Sequence, residues 1–429
     1  MIPPPGLCYT SRTVITLRAR LSAAIGGLPA TFWTLFAGML VNRLASFVAI
    51  FLALYLVRER GLTPGAAGRI VSLFGVGVLV AGPLGGTLAD AIGRRATMLL
   101  SLVLGALAVG AIGFLREPWL LGLFAFLAAA TSELYRPAMN AAIADLVPPP
   151  DRPRAYGLVY WAVNAGWSVS LAVAGLVAER SFVALFLADA ATCLLFALIV
   201  FLRVPETRPA GTHAHSPLAG LTRAFRDGPF VVFLLLHLSG LVVFLQFQLA
   251  APLDMAAHGL GPSAFSALMS LNGLGVVVLQ PLIGPSLRRH DGARLLALSA
   301  LLFGLGFGMN ALVGTSVALA TGPLPIYLAG VALWTLGEVV GFPVAATLVA
   351  DLAPVALRGR YQGAFSMAWG VAFALSPLLG GEVLTRFGAR ALWLGCLSLG
   401  LGVALAHLVA AGPRRRRLAA LHLDGSPPA

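Results

Sequence analysis

Eight polar or charged side chains stand out inside long apolar stretches: Asn42 and Arg43, then Glu133, Arg136 and Asn140, then Gln246 and Gln248, and finally Glu338. A charge held in hydrocarbon costs at least about 2.5–3.5 kcal/mol on insertion scales, so such groups are expected to face a protein interior and to find partners there. Glu133 and Arg136 are three positions apart and share one helix face. A carboxylate in such a place can bind and release a proton, whereas a guanidinium is a fixed positive charge that orients or neutralises. Two readings of Arg43, Glu133 and Arg136 stay open. In one, Glu133 exchanges a proton in response to the arginines and a bound molecule; in the other, the three form a permanent ion cluster. Glu338 has no Arg close in sequence and is the better proton carrier, with a plain hydrogen bond to a neighbouring helix as the alternative. Asp189, His237 and the aromatics Trp161, Trp167, Phe244, Trp334 and Trp369 could line a pocket, but such residues more often pack structurally or face lipid.

The elements that must position these residues are twelve apolar stretches filling nearly the whole chain. About 20 apolar residues at about 1.5 Å rise cross the hydrocarbon core as a helix, and barrel strands would alternate apolar with polar, which these runs do not. With 59% hydrophobic and 10% charged residues over 429 positions, and a mean hydropathy of +0.91, the polar surface is too small for a water-soluble protein. Cys8, Cys193 and Cys396 show no metal or redox spacing. No short apolar region followed by a small-residue cleavage site precedes the first stretch, so that stretch is expected to be retained. The expected organisation is an N-terminal tail over 1–30, a six-helix bundle over 31–203, a polar linker over 204–227 containing His213 and His215, a second bundle over 228–411, and a tail over 412–429.

All 29 basic residues are Arg, and the net charge is +13. They cluster at helix ends rather than along one face, which points to lipid headgroups and topology and away from a nucleic-acid partner. With both termini on one side, twenty Arg fall on that side and seven on the other, which predicts that the termini are cytoplasmic.

The halves read as copies. Residues 137–157 overlay 343–363 at a constant offset of 206, placing Pro137 on Pro343, Asp145 on Asp351, Arg152 on Arg358 and Gly157 on Gly363. Two six-helix repeats joined by a linker imply a transporter whose site lies between the halves. The segment GGTLADAIGRR, residues 85–95, falls between the second and third stretches and resembles the signature of the major facilitator superfamily, with Gly86, Leu88, Asp90, Gly93, Arg94 and Arg95 in the signature positions. The resemblance implies an all-α integral membrane fold of twelve transmembrane helices in two pseudo-symmetric bundles, with stretches 1, 4, 7 and 10 lining a central cavity. It also implies that Gly86, Asp90, Gly93, Arg94 and Arg95 act in gating, and Asp90 is expected to accept hydrogen bonds from a neighbouring helix start.

Drug and proton antiporters of this superfamily also carry an Arg early in the fourth helix and a Gly-Pro pattern in the fifth. Here Ala125 to Leu127 occupy the first position and Ser170-Leu171 the second. The resulting expectation is a proton-coupled exporter of small amphipathic molecules, resembling the multidrug efflux group, in a bacterial cytoplasmic membrane and as a monomer. An uptake facilitator or symporter is the first alternative and a non-transporting receptor the second. No nucleophile–base pair, metal pair or phosphate-binding loop is legible, so neither an enzyme nor a cofactor is expected, and the proton gradient is the expected energy source.

Overall fold

The computed structural model describes residues 27–148, 151–208, 224–287, 289–354 and 357–423. Most of the N-terminal tail with Cys8, most of the linker with His213 and His215, and the last residues of the C-terminal tail lie outside the described residues. Among those described, all regular structure is helical.

Among the described residues, nine helices are long and apolar enough to cross a membrane by length and composition. The other three spans follow from how the chain breaks. Helix α1 runs as two segments, Ala30–Arg43 and Val48–Arg58, each too short to cross alone. Helix α5, Arg152–Arg180, is long but less apolar. Helices α11 and α12 share one hydrogen-bonded run, Arg358–Val409, that turns at Gly388, where φ is 80°. The remaining spans are α2 (Pro64–Ala91), α3 (Arg94–Ile112), α4 (Pro118–Ser132 and Tyr135–Leu146), α6 (Phe182–Arg203), α7 (Gly228–Phe244, the tight turn Leu245–Gln248 and Ala250–Ala257), α8 (Pro262–Leu287), α9 (Gly292–Gly308) and α10 (Pro323–Leu352). A tail helix, α13 (Ala411–Leu423), follows. Helix starts use ordinary caps: Thr63, Ser181, Asp227 and Asp291 each accept a backbone N–H of the helix they precede.

Large apolar side chains such as Leu107, Phe201, Leu282 and Leu405 are exposed around the outside, as a lipid solvent requires. The two halves meet along α2 against α11 and α5 against α8. The contact lies toward the side opposite the linker, called here the far side. There an added Cβ at Gly68 would strike the Pro377 carbonyl and stand 3.1 Å from Gly381 Cα, so the helices touch backbone to backbone. The Gly65 N–H donates to Thr385 Oγ1 at 2.7 Å, Arg69 pairs with Glu382, and Ser263 Oγ donates to Glu179. Toward the linker side the halves part: no atom lies within 4 Å of where a Cβ would stand at Gly82 or Gly86 on α2.

Candidate functional site

Two helix breaks lie side by side in the N-terminal half, and each is bridged by a side chain from a neighbouring helix. In α4 the turn at Glu133–Leu134 interrupts the ladder, and Ser101 of α3 spans it, donating to Thr131 O at 2.6 Å and accepting from Tyr135 N at 2.9 Å. In α1 the interruption is Leu44–Phe47, and Asp189 of α6 accepts the N–H groups of Phe47 at 3.1 Å and Val48 at 3.4 Å. The α1 break contains neither Gly nor Pro, so its neighbour rather than local propensity holds it open, whereas the α4 break falls four residues before Pro137, which has no N–H to return to Glu133 O and crowds that carbonyl.

The α4 break places Glu133 between two guanidiniums. Its Oε2 lies 2.7 Å from Arg136 Nε, and its Oε1 lies 3.7 Å from Arg43 Nη2. Arg43 is buried at 5% exposure and donates to Tyr135 Oη at 2.6 Å, while its Nε has no partner. Arg136 is half exposed. Asn42 donates to Cys193 Sγ at 3.1 Å. These residues, with Ser46, Glu133, Asp189, Trp167 and Gln248, line a cavity of about 160 Å³.

A larger space of about 390 Å³ adjoins it, sharing Arg43, Arg136, Trp167, Gln248 and Phe373, and reaches into the C-terminal half. Its walls there are aromatic: Phe244, Phe247, Trp334, Phe342 and Trp369. Phe247 and Trp334 stack with centroids 6.2 Å apart, and Phe244 meets Phe342 edge-on at 5.1 Å. One carboxylate faces this aromatic wall, Glu338 of α10, whose Oε2 accepts from Asn272 Nδ2 at 3.0 Å. Asn272 also donates to Thr335 Oγ1 at 3.0 Å. The combined space is thus ionic at one end and aromatic at the other, a form suited to a molecule with a polar group and a flat apolar body.

The structure brings Asn42, Arg43, Glu133, Arg136 and Glu338 to this space. Asn140 lies one to two turns beyond Arg136 and is exposed toward the linker side. Gln246 is placed differently: it points into the C-terminal half, where its Nε2 donates to Val242 O and Ser376 O, both at 3.2 Å, and Gln248 faces the cavity in its stead. The tight turn at Leu245–Gln248 rotates α7 out of register, and the sequence carries no signal of it. Four of the five candidate aromatics, Trp167, Phe244, Trp334 and Trp369, line the space, against the expectation that such residues pack or face lipid. The side chain of Trp161 lies outside the described residues. Asn272 and Asp189 are cavity residues that sequence reasoning passed over or read as structural, and a polar residue in a long apolar stretch was the available signal for both. His237 is buried in an aromatic stack, 4.7 Å from Phe365.

The loop between α2 and α3 is bonded within the N-terminal half. Gly93 takes φ 105°, and a Cβ there would stand 2.8 Å from the Glu206 carboxyl carbon, so both conformation and space demand glycine. Asp90 pairs with Arg94 at 2.8 Å, and Arg94 also reaches Asp145 at 3.2 Å. The expected capping role of Asp90 belongs instead to Glu206, just past α6, whose carboxylate accepts the N–H groups of Arg94 at 2.8 Å and Arg95 at 3.1 Å at the start of α3. Arg95 donates to Phe201 O at 2.7 Å. Gly86 stands free of neighbours. Partial burial pushes the Glu206 carboxyl up, but the N–H groups of Arg208, Arg94, Arg95 and Thr207 outweigh it and hold it below the usual carboxylate range.

The Major Facilitator Superfamily profile matches residues 35–253 and 238–425. An MFS-type transporter of Bacillus subtilis (strain 168), YttB, is 28% identical over 378 residues, covering 87% of this chain and 93% of that protein. Multidrug resistance protein 1 of the same organism is 24% identical, covering 86% and 94%. A Na(+), Li(+), K(+)/H(+) antiporter of Planococcus maritimus is 25% identical, covering 76% and 83%. Among solved structures, a peptide transporter POT in complex with sulfate superposes with a TM-score of 0.76 at 19% identity, covering 92% of this chain and 96% of that one. The nucleoside transporter NupG gives 0.76 at 14%, covering 89% and 99%. At those identities the likeness is one of fold.

Proposed function

Since this chain belongs to the major facilitator superfamily and is a multi-pass membrane transporter, we propose that it exports small amphipathic molecules in exchange for protons, by alternating access around the central space. The observation that carries this reading is a cavity between the halves with an ion cluster at one end, an aromatic wall at the other, and a carboxylate facing each. Coupled exchange needs a group for which proton and substrate compete, and a carboxylate can serve where Arg cannot. Glu338, with Asn272 as its hydrogen-bond partner, takes the titrating role. Glu133, between Arg43 and Arg136, orients the polar end of the substrate. The multidrug and cation/proton antiporter relatives support export and proton exchange by analogy.

The excess of Arg on the linker side supports cytoplasmic termini and a bacterial cytoplasmic membrane. On that orientation the structure is inward-facing, closed at the far side by α2 on α11 and α5 on α8. In the opposite state the loop at Gly86 to Arg95 would meet the other half.

The test is flux in proteoliposomes loaded with an amphipathic fluorescent dye, with and without an imposed pH gradient. Wild type should move dye uphill only with the gradient; Glu338→Gln, which keeps size but cannot titrate, should lose uphill movement, and Glu133→Gln, which loses the charge set between the two arginines, should move dye more slowly. If both variants still drive uphill movement at the wild-type rate, the exchange mechanism fails and a facilitator is the better reading.

A further inference from the structure

The carboxylate of Asp189 is not accounted for by a cavity role shared between Glu133 and Glu338. It is buried at 6% exposure on α6, yet it borders the cavity that holds Arg43, Glu133 and Arg136. Its Oδ2 takes the two N–H groups that begin the second segment of α1, while its Oδ1 lies 3.8 Å from Cys193 Sγ. The sequence at the break, Leu44-Ala45-Ser46-Phe47, is not one that breaks helices by itself.

Arg43 is the last residue of the first α1 segment, immediately before the break. Its reach to Tyr135 and Glu133 consequently depends on the angle between the two segments, and its own stem is wedged against α5, where an added Cβ at Gly166 would stand 2.6 Å from Arg43 Cβ. We infer that Asp189 is a proton-binding site that acts on the cavity through α1: ionised it holds the break open and Arg43 on Glu133, and protonated it releases the second segment and withdraws Arg43. The proton goes to a carboxylate oxygen and no other bond is made or broken. A hydrogen bond to an ionised acceptor is roughly twice as strong as one to a neutral acceptor, so protonation weakens both caps at once.

The charged and titratable groups that face Asp189 are Arg43 from α1, Glu133, Tyr135 and Arg136 from α4, and Cys193 from its own helix. The other neighbours bring apolar or neutral groups: Phe74 and Val78 from α2, Ala106 from α3, Trp167 from α5 and Gln248 from α7. Arg43 is thus a fixed cation poised between two carboxylates, Asp189 behind it and Glu133 in front. The inference rests on the proposed proton exchange but assigns it a second site, outside the pair that meets substrate.

The test uses the full-length protein in lipid nanodiscs with the proton as the only ligand, reading amide hydrogen exchange of peptides covering residues 44–50. After correction for the intrinsic pH dependence of exchange, protection of this segment in wild type should fall about tenfold on acidification from about pH 8 through the carboxylate range to about pH 3.5, the loss expected for exchanging charge-assisted for neutral caps. Asp189→Asn should abolish the pH response, and Asp189→Glu should keep one. Glu133→Gln and Glu338→Gln should retain it, whatever they do to transport, so failure of the exporter reading and failure of this inference are separable. No pH response in wild type overturns the inference even if Asp189→Asn does not fold, and an unchanged response in a folded Asp189→Asn overturns it equally.

Discussion

Replacing Gly68 by Ala should shift the protein out of the conformation described here, and the structure sets the scale. The new Cβ would stand 3.1 Å from Gly381 Cα and 3.3 Å from the Pro377 carbonyl carbon, and closer still to the Pro377 oxygen. All three are backbone atoms with no rotamer to yield. Carbon–carbon pairs rest at about 3.5–4.0 Å and the oxygen contact is the tightest, so α2 and α11 must part by roughly 1 Å on the far side. Overpacking of this kind costs about 1–3 kcal/mol, and under the proposed alternating access the cost falls on the far-side-closed state, because the opposite state would separate the two helices there. A coupling of that size changes the ratio of the two states by about 5- to 150-fold. The internal control is Gly82→Ala, about four turns further along the same helix, where the added methyl meets nothing within 4 Å and the gain in helix propensity is the same. Spin labels on the far-side ends of α2 and α11 would report the distance distribution by pulsed dipolar spectroscopy. The wider population should grow in Gly68→Ala and stay as in wild type in Gly82→Ala. Identical distributions in both folded variants would refute the reasoning, since they would mean that the glycine contact does not hold the far side shut.

Glu206→Gln should lower thermal stability at neutral pH by about 1 kcal/mol, as loss of a helix cap does, because the carboxylate caps the start of α3. Its folded-state pKa lies below the ordinary value, so its contribution is present above the usual carboxylate range and is lost as the pH falls through the depressed value. The melting temperature of wild type should therefore drop more steeply than that of the variant on acidification below about pH 4.3, and parallel curves would show that the carboxylate does not carry the cap. For topology, a cysteine at exposed Leu319, between α9 and α10, should react with an impermeant thiol reagent in intact cells, whereas one at exposed Arg416 on α13 should react only after lysis. Labelling of Arg416 from outside and of Leu319 only after lysis would reverse the assignment of the linker side to the cytoplasm, and labelling of both from outside would overturn the count of twelve spans.

The sequence by itself determined the solvent, the number of spans and the repeat. Lipid leaves a chain so few ways to satisfy its backbone that runs of apolar length fix helices almost without regard to tertiary context. The same economy made Glu133, Arg43, Arg136 and Glu338 legible as interior groups, because their cost in lipid follows from composition alone. What it could not determine was which face each helix presents. Gln246 and Gln248 are two residues apart in one apolar run, and only the tight turn in α7 decides that the first bonds to Ser376 while the second meets the cavity. The break in α1 is likewise absent from local propensity, whereas Pro137 marks the one in α4. At each, a side chain from another helix, Asp189 or Ser101, supplies the hydrogen bonds that the backbone gives up. Those partners are separated from the breaks they serve by 142 and 30 residues, and a bond across such a distance is a property of the packed bundle alone.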